Sequence, residues 1–215
     1  MSIVLVRHGL TEWNCSKRCT GWTDIGLSRV GVQQSIDLAN YLNNIGYIPS
    51  LIYSSYLKRS IETAKYIRDL LAPNLVINRR WRLNENHYGA LQGMSINEID
   101  DAFGEEFRCK FFNDFYLSPP SLTIDDYRHP QNDKLYDLIS PDYLPCGESF
   151  YDHFCRVDIF WRRLIESYKQ DKRSRLIVCH GNTIRAIMMS HYGLKIENYF
   201  SIDVSNCTTI RLEVG

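Results

Sequence analysis

The chain has 215 residues, 44% hydrophobic and 13% aromatic, with 25 Lys+Arg against 25 Asp+Glu and therefore no formal net charge. That length suits one domain, or one domain with a large insertion, and apolar residues spread along the whole chain exclude extended disorder. Zero net charge with no basic tail excludes the electrostatic footprint of a general nucleic-acid binder, while leaving room for a local basic pocket.

The elements read in chain order as follows. Ile3–Val6 is a short apolar run expected to be a buried strand. Leu27-Ser28 opens a helical pattern carried by Val32, Ile36, Ala39, Leu42 and Ile45 and stopped by Gly46. Leu51–Tyr53 is the next strand, with Ser54-Ser55 as helix-starting residues. The helix that follows carries Leu57, Ile61, Ala64, Ile67 and Leu71 on one face and ends at Pro73, before a third strand at Leu75–Ile77. Trp81–Leu83 is strand-like. Phe150, Phe154, Val157, Trp161, Leu164 and Tyr168 alternate four and three, the stripe of a long core-facing helix. Leu176–Cys179 is then a strand, Asn182-Thr183 starts a helix through Ile184, Ile187, Met188 and His191, and Thr208–Leu212 alternates as a last strand. Repeated strand–helix units predict an α/β fold: a three-layer sandwich with a largely parallel central sheet covered by helices on both faces. Residues 117–147 hold five of the seven prolines and little periodicity, so they are expected to form a lid-like insertion over the strand ends.

No run approaches the ~18 apolar residues that span a bilayer. The first residues show neither the basic nor the apolar region of a signal peptide. The seven cysteines (15, 19, 109, 146, 155, 179 and 207) are odd in number and scattered. They read as reduced thiols of a cytoplasmic protein, and Cys15 and Cys19 lack the second pair a structural zinc site needs.

Chemistry concentrates at strand ends. Arg7-His8-Gly9 follows the first strand immediately, at the carboxyl edge where open α/β sheets bind ligands, and glycine lets backbone approach a ligand closely. Cys179-His180-Gly181-Asn182-Thr183 repeats the arrangement, with a helix N-terminus that suits an anion. Arg59 lies in the first helical turn after the second strand. Two imidazoles and two guanidiniums make a pocket for a doubly charged oxyanion, most naturally phosphate, which arginine's planar fork binds bidentately. In such a pocket a neutral imidazole can attack phosphorus while the cations spread charge over the equatorial oxygens. Glu85, in Asn84-Glu-Asn-His-Tyr-Gly89, is the candidate proton donor, provided burial or phosphate charge raises its pKa.

These motifs resemble the phosphoglycerate-mutase-like histidine phosphatase superfamily, and within it the 2,3-bisphosphoglycerate-dependent phosphoglycerate mutases. Arg7-His8-Gly9 extends to the more specific R-H-G-x-T-x-x-N. Cys19-Thr-Gly-Trp22 with Asp24 and Leu27-Ser28, Ser54–Arg59, Leu83–Gly93 and His180-Gly-Asn182 match further family blocks. Pro119-Pro120 through Arg128, Leu144-Pro145 and Glu148-Ser149 match the mutase branch, so the resemblance runs from about Ile3 to Leu212. It implies that His8 is the phosphorylated nucleophile and His180 its partner. Arg7, Arg59, Asn14, Gly181 and Asn182 would bind the transferring phosphate, and Glu85 would move the proton. Arg18, Thr20, Gly21 and Tyr88 would line the substrate side. It also implies no metal, and 2,3-bisphosphoglycerate as primer if the chain is a mutase; a phosphatase needs no cofactor, and the family often pairs into homodimers, which leaves the oligomeric state open.

Three positions depart from the mutases. Ile96 stands where the family has a substrate-contacting lysine, and Phe112 and Asn113 stand where it has an adjacent arginine pair. A charge-assisted hydrogen bond is worth roughly 1.5–3 kcal/mol, so losing three costs about 4–9 kcal/mol if they add, less whatever Arg82, Arg108 or Lys110 restore. The sequence also ends at Gly215, without the tail that mutases fold over the site. A small phosphate monoester hydrolysed by a phosphatase is therefore the favoured expectation, with the mutase as its alternative. Two other readings are a regulatory protein that kept the fold without the chemistry, and a metal hydrolase built on His8, His180, His87 and Glu85. In the latter, Arg7 and Arg59 already supply the charge a metal would bring.

Overall fold

A computed structural model describes residues 2–214. In chain order the elements are β1 (Ile3–Arg7), α1 (Glu12–Cys15), α2 (Arg29–Asn44), β2 (Leu51–Ser54), α3 (Lys58–Leu71), β3 (Ile77–Arg79), α4 (Ile96–Phe103), α5 (Glu105–Phe111), α6 (Phe150–Gln170), β4 (Arg175–Cys179), α7 (Gly181–Tyr192) and β5 (Thr209–Leu212). The strands form one sheet in the order β3-β2-β4-β1-β5, parallel except for β5, which runs antiparallel to β1. Alternation along the strands sends Ile3, Leu5, Ile177 and Cys179 to one face, packed with Val157, Trp161 and Leu164 of α6 and Ile184 and Ile187 of α7. Val4, Val6, Leu176 and Val178 face the other way, against Leu38, Ala39 and Leu42 of α2 and Ala64, Ile67 and Leu71 of α3. The sheet with helices on both faces is the expected three-layer sandwich.

Several local expectations shift. Trp81–Leu83 is a 3₁₀ turn, because the chain leaves the sheet at Arg79. The third strand is Ile77–Arg79, two residues beyond the apolar run that suggested it. On α2 the buried face is Gly31, Ser35, Leu38, Ala39 and Leu42, while Ile45 is 57% exposed. Small residues there permit close packing: a Cβ on Gly31 would meet the Leu10 carbonyl oxygen at 2.0 Å. Ser54 and Ser55 do not cap α3, which starts at Lys58 with no side-chain cap; their hydroxyls turn inward instead.

Residues 117–147 contain three 3₁₀ turns and are tied to the loop that carries Glu85. Ala90 N–H donates to the Pro120 carbonyl at 2.7 Å, and Arg128 donates to the carbonyls of Ala90 and Gln92. Tyr136 stacks on Trp22 with centroids 5.1 Å apart, in a cluster with Leu144. The segment thus packs against the loop that carries Glu85, and none of its residues lines the cleft described next. All seven cysteines are unpaired.

Candidate active site

Strand register decides what meets at the carboxyl edge. Arg7 pairs with Cys179, so the residues that follow, His8 and His180, emerge side by side with ring centroids 5.1 Å apart. Ser54 pairs with Val178 on the other side of β4, which brings the Ser55 hydroxyl to 2.8 Å from His180 Nε2. The histidine pair is thus a product of β4 lying between β1 and β2.

His8 is 3% exposed and its Nδ1 lies 2.7 Å from the Gly9 carbonyl oxygen. A carbonyl only accepts, so Nδ1 carries the proton and Nε2 keeps a free lone pair. Burial first, then the Arg59 and Arg7 guanidiniums, hold the imidazole well below the ordinary histidine range, so it is neutral at pH 7. His180 is fully buried and likewise held down, by burial, then Arg59 and His8. Ser55 Oγ accepts from the Leu57 N–H and lies within hydrogen-bond distance of His180 Nε2. Nδ1 of His180 is buried and without a protein partner.

The two arginines are fixed by backbone carbonyls rather than carboxylates. Arg59, 1% exposed, donates from Nη2 to Gly21 O at 2.7 Å and from Nη1 to Thr23 O at 3.0 Å. Burial lowers its pKa to about 10, with Glu85 the main offset, so it stays cationic at neutral pH. Arg7 donates from Nη1 to Val204 O at 2.5 Å, and its Nε is buried without a partner. Carbonyl anchors orient the forks without neutralising them, which preserves positive charge for an anion.

Glu85 lies across the same opening. Its Oε1 accepts from the Asn86 N–H at 2.8 Å, and Oε2 lies 3.5 Å from Asn182 N in the first turn of α7. The N-cap of α7 is His180, which makes no side-chain cap, so the helix presents N–H groups and its positive dipole end to the pocket. Asn14 holds the turn after His8: it closes the Thr11 capping box, and Asn206 Nδ2 reaches both His8 O and Asn14 Oδ1. Gly21 adopts φ +53°, and a Cβ there would sit 2.3 Å from Gln92 Oε1.

A cleft of about 470 Å³ collects these groups. Arg7, His8, Asn14, Arg18, Thr20, Gly21, Arg59, Glu85, Tyr88, Gly181 and Asn182, all expected from the sequence, line it; His180 alone stands behind, against His8. Ile96, Phe112 and Asn113 also line it, whereas the cations that were to compensate do not. Arg108 pairs with Asp100 and Glu105, and Arg82 stacks over Trp81 at 4.5 Å. His87 is turned away, packed edge-on against Trp22 with Nε2 toward Gln92, so the four-ligand metal set is not assembled. Among the described residues no group of three or more His, Cys, Asp and Glu side chains is placed to hold a metal ion. None of the described helices is long and apolar enough to cross a membrane.

The sequence reading missed Lys17, Arg185, Phe150 and Phe200 on the cleft wall. Arg185 was recoverable, three residues after Asn182 and so on the same helical face; it donates to Asn182 Oδ1 at 2.9 Å. It also missed Arg156. That buried guanidinium pairs with Glu148 at 2.6 and 2.8 Å and donates to the carbonyls of Arg82, Asn84 and Glu85, clamping the turn that carries Glu85.

A parallel-sheet edge bearing two neutral buried histidines, two unpaired guanidiniums and a helix N-terminus defines a phosphoryl-transfer enzyme. The chain belongs to the histidine phosphatase superfamily (branch 1), whose model matches residues 3–129 and again 122–215. It is accordingly a phosphotransfer enzyme acting through a phosphohistidine on small phosphate esters. It is 36% identical over 212 residues to the 2,3-bisphosphoglycerate-dependent phosphoglycerate mutase of Hamiltonella defensa, covering 98% of this chain and 85% of that one. Identity is 34% to the enzyme of the same name from Buchnera aphidicola, covering 98% and 92%. Among solved structures, it resembles a mycobacterial glucosyl-3-phosphoglycerate phosphatase complexed with VO3, with TM-score 0.75, 27% identity, and coverage of 99% of this chain and 92% of that one.

Proposed function

We propose that the chain is a phosphatase of small phosphate monoesters. The observation that carries this reading is the contrast within one cleft. The phosphate end is complete, and the far end presents Ile96, Phe112 and Asn113 where a second anion would need cations. Of the remaining lining cations, Arg18 is paired with Glu98 and donates to the Gly93 carbonyl, Arg185 is oriented by Asn182 Oδ1 and the Ile202 carbonyl without being neutralised, and Lys17 is exposed. The resemblance to a phosphatase structure supports the same reading.

In the proposed reaction His8 Nε2 attacks phosphorus, an N–P bond forms and the P–O bond to the leaving alcohol breaks. Arg7, Arg59, Asn14 and the N–H groups of Gly181 and Asn182 hold the equatorial oxygens, and the buried His180 imidazole stands against His8. The Glu85 carboxylic acid gives its proton to the leaving oxygen. Water then attacks phosphohistidine, its proton passes to the Glu85 carboxylate, and inorganic phosphate leaves with His8 restored.

The second reading, a phosphoglycerate mutase, is favoured by the 34–36% identity to enzymes of that name. Its primer, 2,3-bisphosphoglycerate, fits these residues at one phosphate; its other anionic end would meet Ile96, Phe112 and Asn113, with Lys17, Arg18 and Arg185 as the cations left on the cleft wall. Assaying a panel of phosphate monoesters beside 2- and 3-phosphoglycerate, with His8→Ala as blank, separates the two. Hydrolysis exceeding isomerisation is expected. Conversion of 3- to 2-phosphoglycerate far faster than any hydrolysis would establish the mutase instead.

A further inference from the structure

Four aromatic rings line one side of the cleft: Tyr88, Phe112, Phe150 and Phe200. They come from separate parts of the chain, namely the loop after Glu85, the end of α5, the first residue of α6 and the segment after α7. Phe111, fully buried, ties them together: its ring centroid lies 5.0 Å from Phe112, 5.9 Å from Phe150 and 6.2 Å from Tyr88, and Phe150 lies 5.1 Å from Phe200. Most of these contacts are edge-to-face, so the belt is held before any ligand arrives and loses little freedom on binding. It also begins next to the phosphate groups. The Tyr88 hydroxyl accepts from Asn182 Nδ2 at 2.8 Å, and the same Asn182 offers its N–H to the floor beside Glu85.

Thr20, Gly21, Arg18 and Ile96 also line the cleft, with the exposed Lys17 as the one lining cation outside the phosphate floor whose side chain makes no hydrogen bond or ion pair among the described residues. We infer that the substrate's leaving group is a flat apolar ring close to the scissile oxygen: the enzyme takes monophosphates of aromatic alcohols in preference to those of polyols or hydroxy acids. A cleft of about 470 Å³ holds a phosphate and a group of one or two rings. This deepens the phosphatase reading and rests on it for turnover, though not for binding.

The test pairs benzyl phosphate with glycerol 1-phosphate and 3-phosphoglycerate. Benzyl alcohol is an alkyl-type leaving group, so a difference reports ring contact rather than phenol-like reactivity. A kcat/KM for benzyl phosphate about 10-fold or more above both is expected from two or three ring contacts. Phe112→Leu and Phe200→Leu, which keep apolar bulk, should each lower that ratio about threefold or more. Calorimetric affinity for benzylphosphonate against propylphosphonate reads the same belt without chemistry. Hydrolysis of all three esters at similar kcat/KM, or equal affinity for the two phosphonates, overturns the ring subsite and leaves the phosphatase reading standing. A clear benzylphosphonate preference with no ester hydrolysed does the reverse.

Discussion

Removing the Arg156 guanidinium should destabilise the protein and impair catalysis by separable routes. Arg156→Leu leaves the Glu148 carboxylate, 4% exposed, with only the His87 N–H at 2.9 Å as a hydrogen-bond donor among the contacts described. Stranding one member of a buried ion pair costs about 3–5 kcal/mol, a large share of the roughly 5–15 kcal/mol that holds a domain folded. With a urea m-value of about 1–3 kcal/mol/M, the midpoint should fall by about 1 M or more. Adding Glu148→Leu removes the stranded charge, so the double variant should recover much of that loss. It should not fully recover kcat, because the carbonyls of Arg82, Asn84 and Glu85 still lack the guanidinium that bridges them, with only Trp22 Nε1–H left on Glu85 and the Thr183 hydroxyl on Asn84. Urea unfolding followed by fluorescence, together with kcat on any turned-over monoester, measures both effects. A single-variant loss under about 1 kcal/mol, or normal kcat in the double variant, would refute the clamp.

Other expectations follow from the same geometry. Incubation with a labelled phosphodonor should leave an acid-labile label on the wild-type chain and none on His8→Ala, whose turnover should drop more than about 10³-fold; label retained in the variant would move the nucleophile elsewhere. Folding should weaken in mild acid, because His8 and His180 are held well below 6.5 and burial lowers His87 and His153 to about 3. Below pH ~6.5 the unfolded chain takes up protons that the folded chain refuses, so each such site costs about 1.4 kcal/mol per pH unit as pH falls. Urea midpoints at pH 7.5, 6 and 5 should decline accordingly, and a flat profile contradicts the buried neutral histidines. Gly21→Ala should lose at least ~1 kcal/mol, since φ +53° and Gln92 Oε1 both oppose a side chain, and should weaken inhibition by inorganic phosphate through the displaced Arg59 anchor. Thermal unfolding and a phosphate inhibition constant check it.

Legibility in the sequence tracked how local each signal was. Apolar runs such as Ile3–Val6 and Leu176–Cys179 and the α6 stripe announce themselves within a few residues, and so do Arg7-His8-Gly9 and His180-Gly-Asn182. Trp81–Leu83 misled because Trp-Arg-Leu alternates apolar and polar as a strand does, yet forms a 3₁₀ turn packed against α6 with Leu83 buried. On α2, periodicity favoured the bulky Val32 and Ile36 although the tight approach to Leu10 requires Gly31 and Ser35 on the inner face. Phe200 gave no signal, because its place on the cleft depends on how residues 193–208 return from α7. Arg156 was hidden within an apolar stripe, where a charge reads as an irregularity until Glu148 is seen beneath it.

The strand order has a consequence for when this protein acquires its chemistry. His8 is made among the first residues, yet its neighbour His180 arrives only with β4, which wedges between β1 and β2 and hydrogen-bonds to both. A nascent or truncated chain that stops before β4 holds β1 and β2 with nothing between them and one histidine without its mate. Such late, long-range pairing is slow in chain terms. The site is therefore a product of both chain ends: the nucleophile after the first strand, the second histidine after β4, and the Val204 and Asn206 anchors of Arg7 and His8 assemble only when the late segments return to β1.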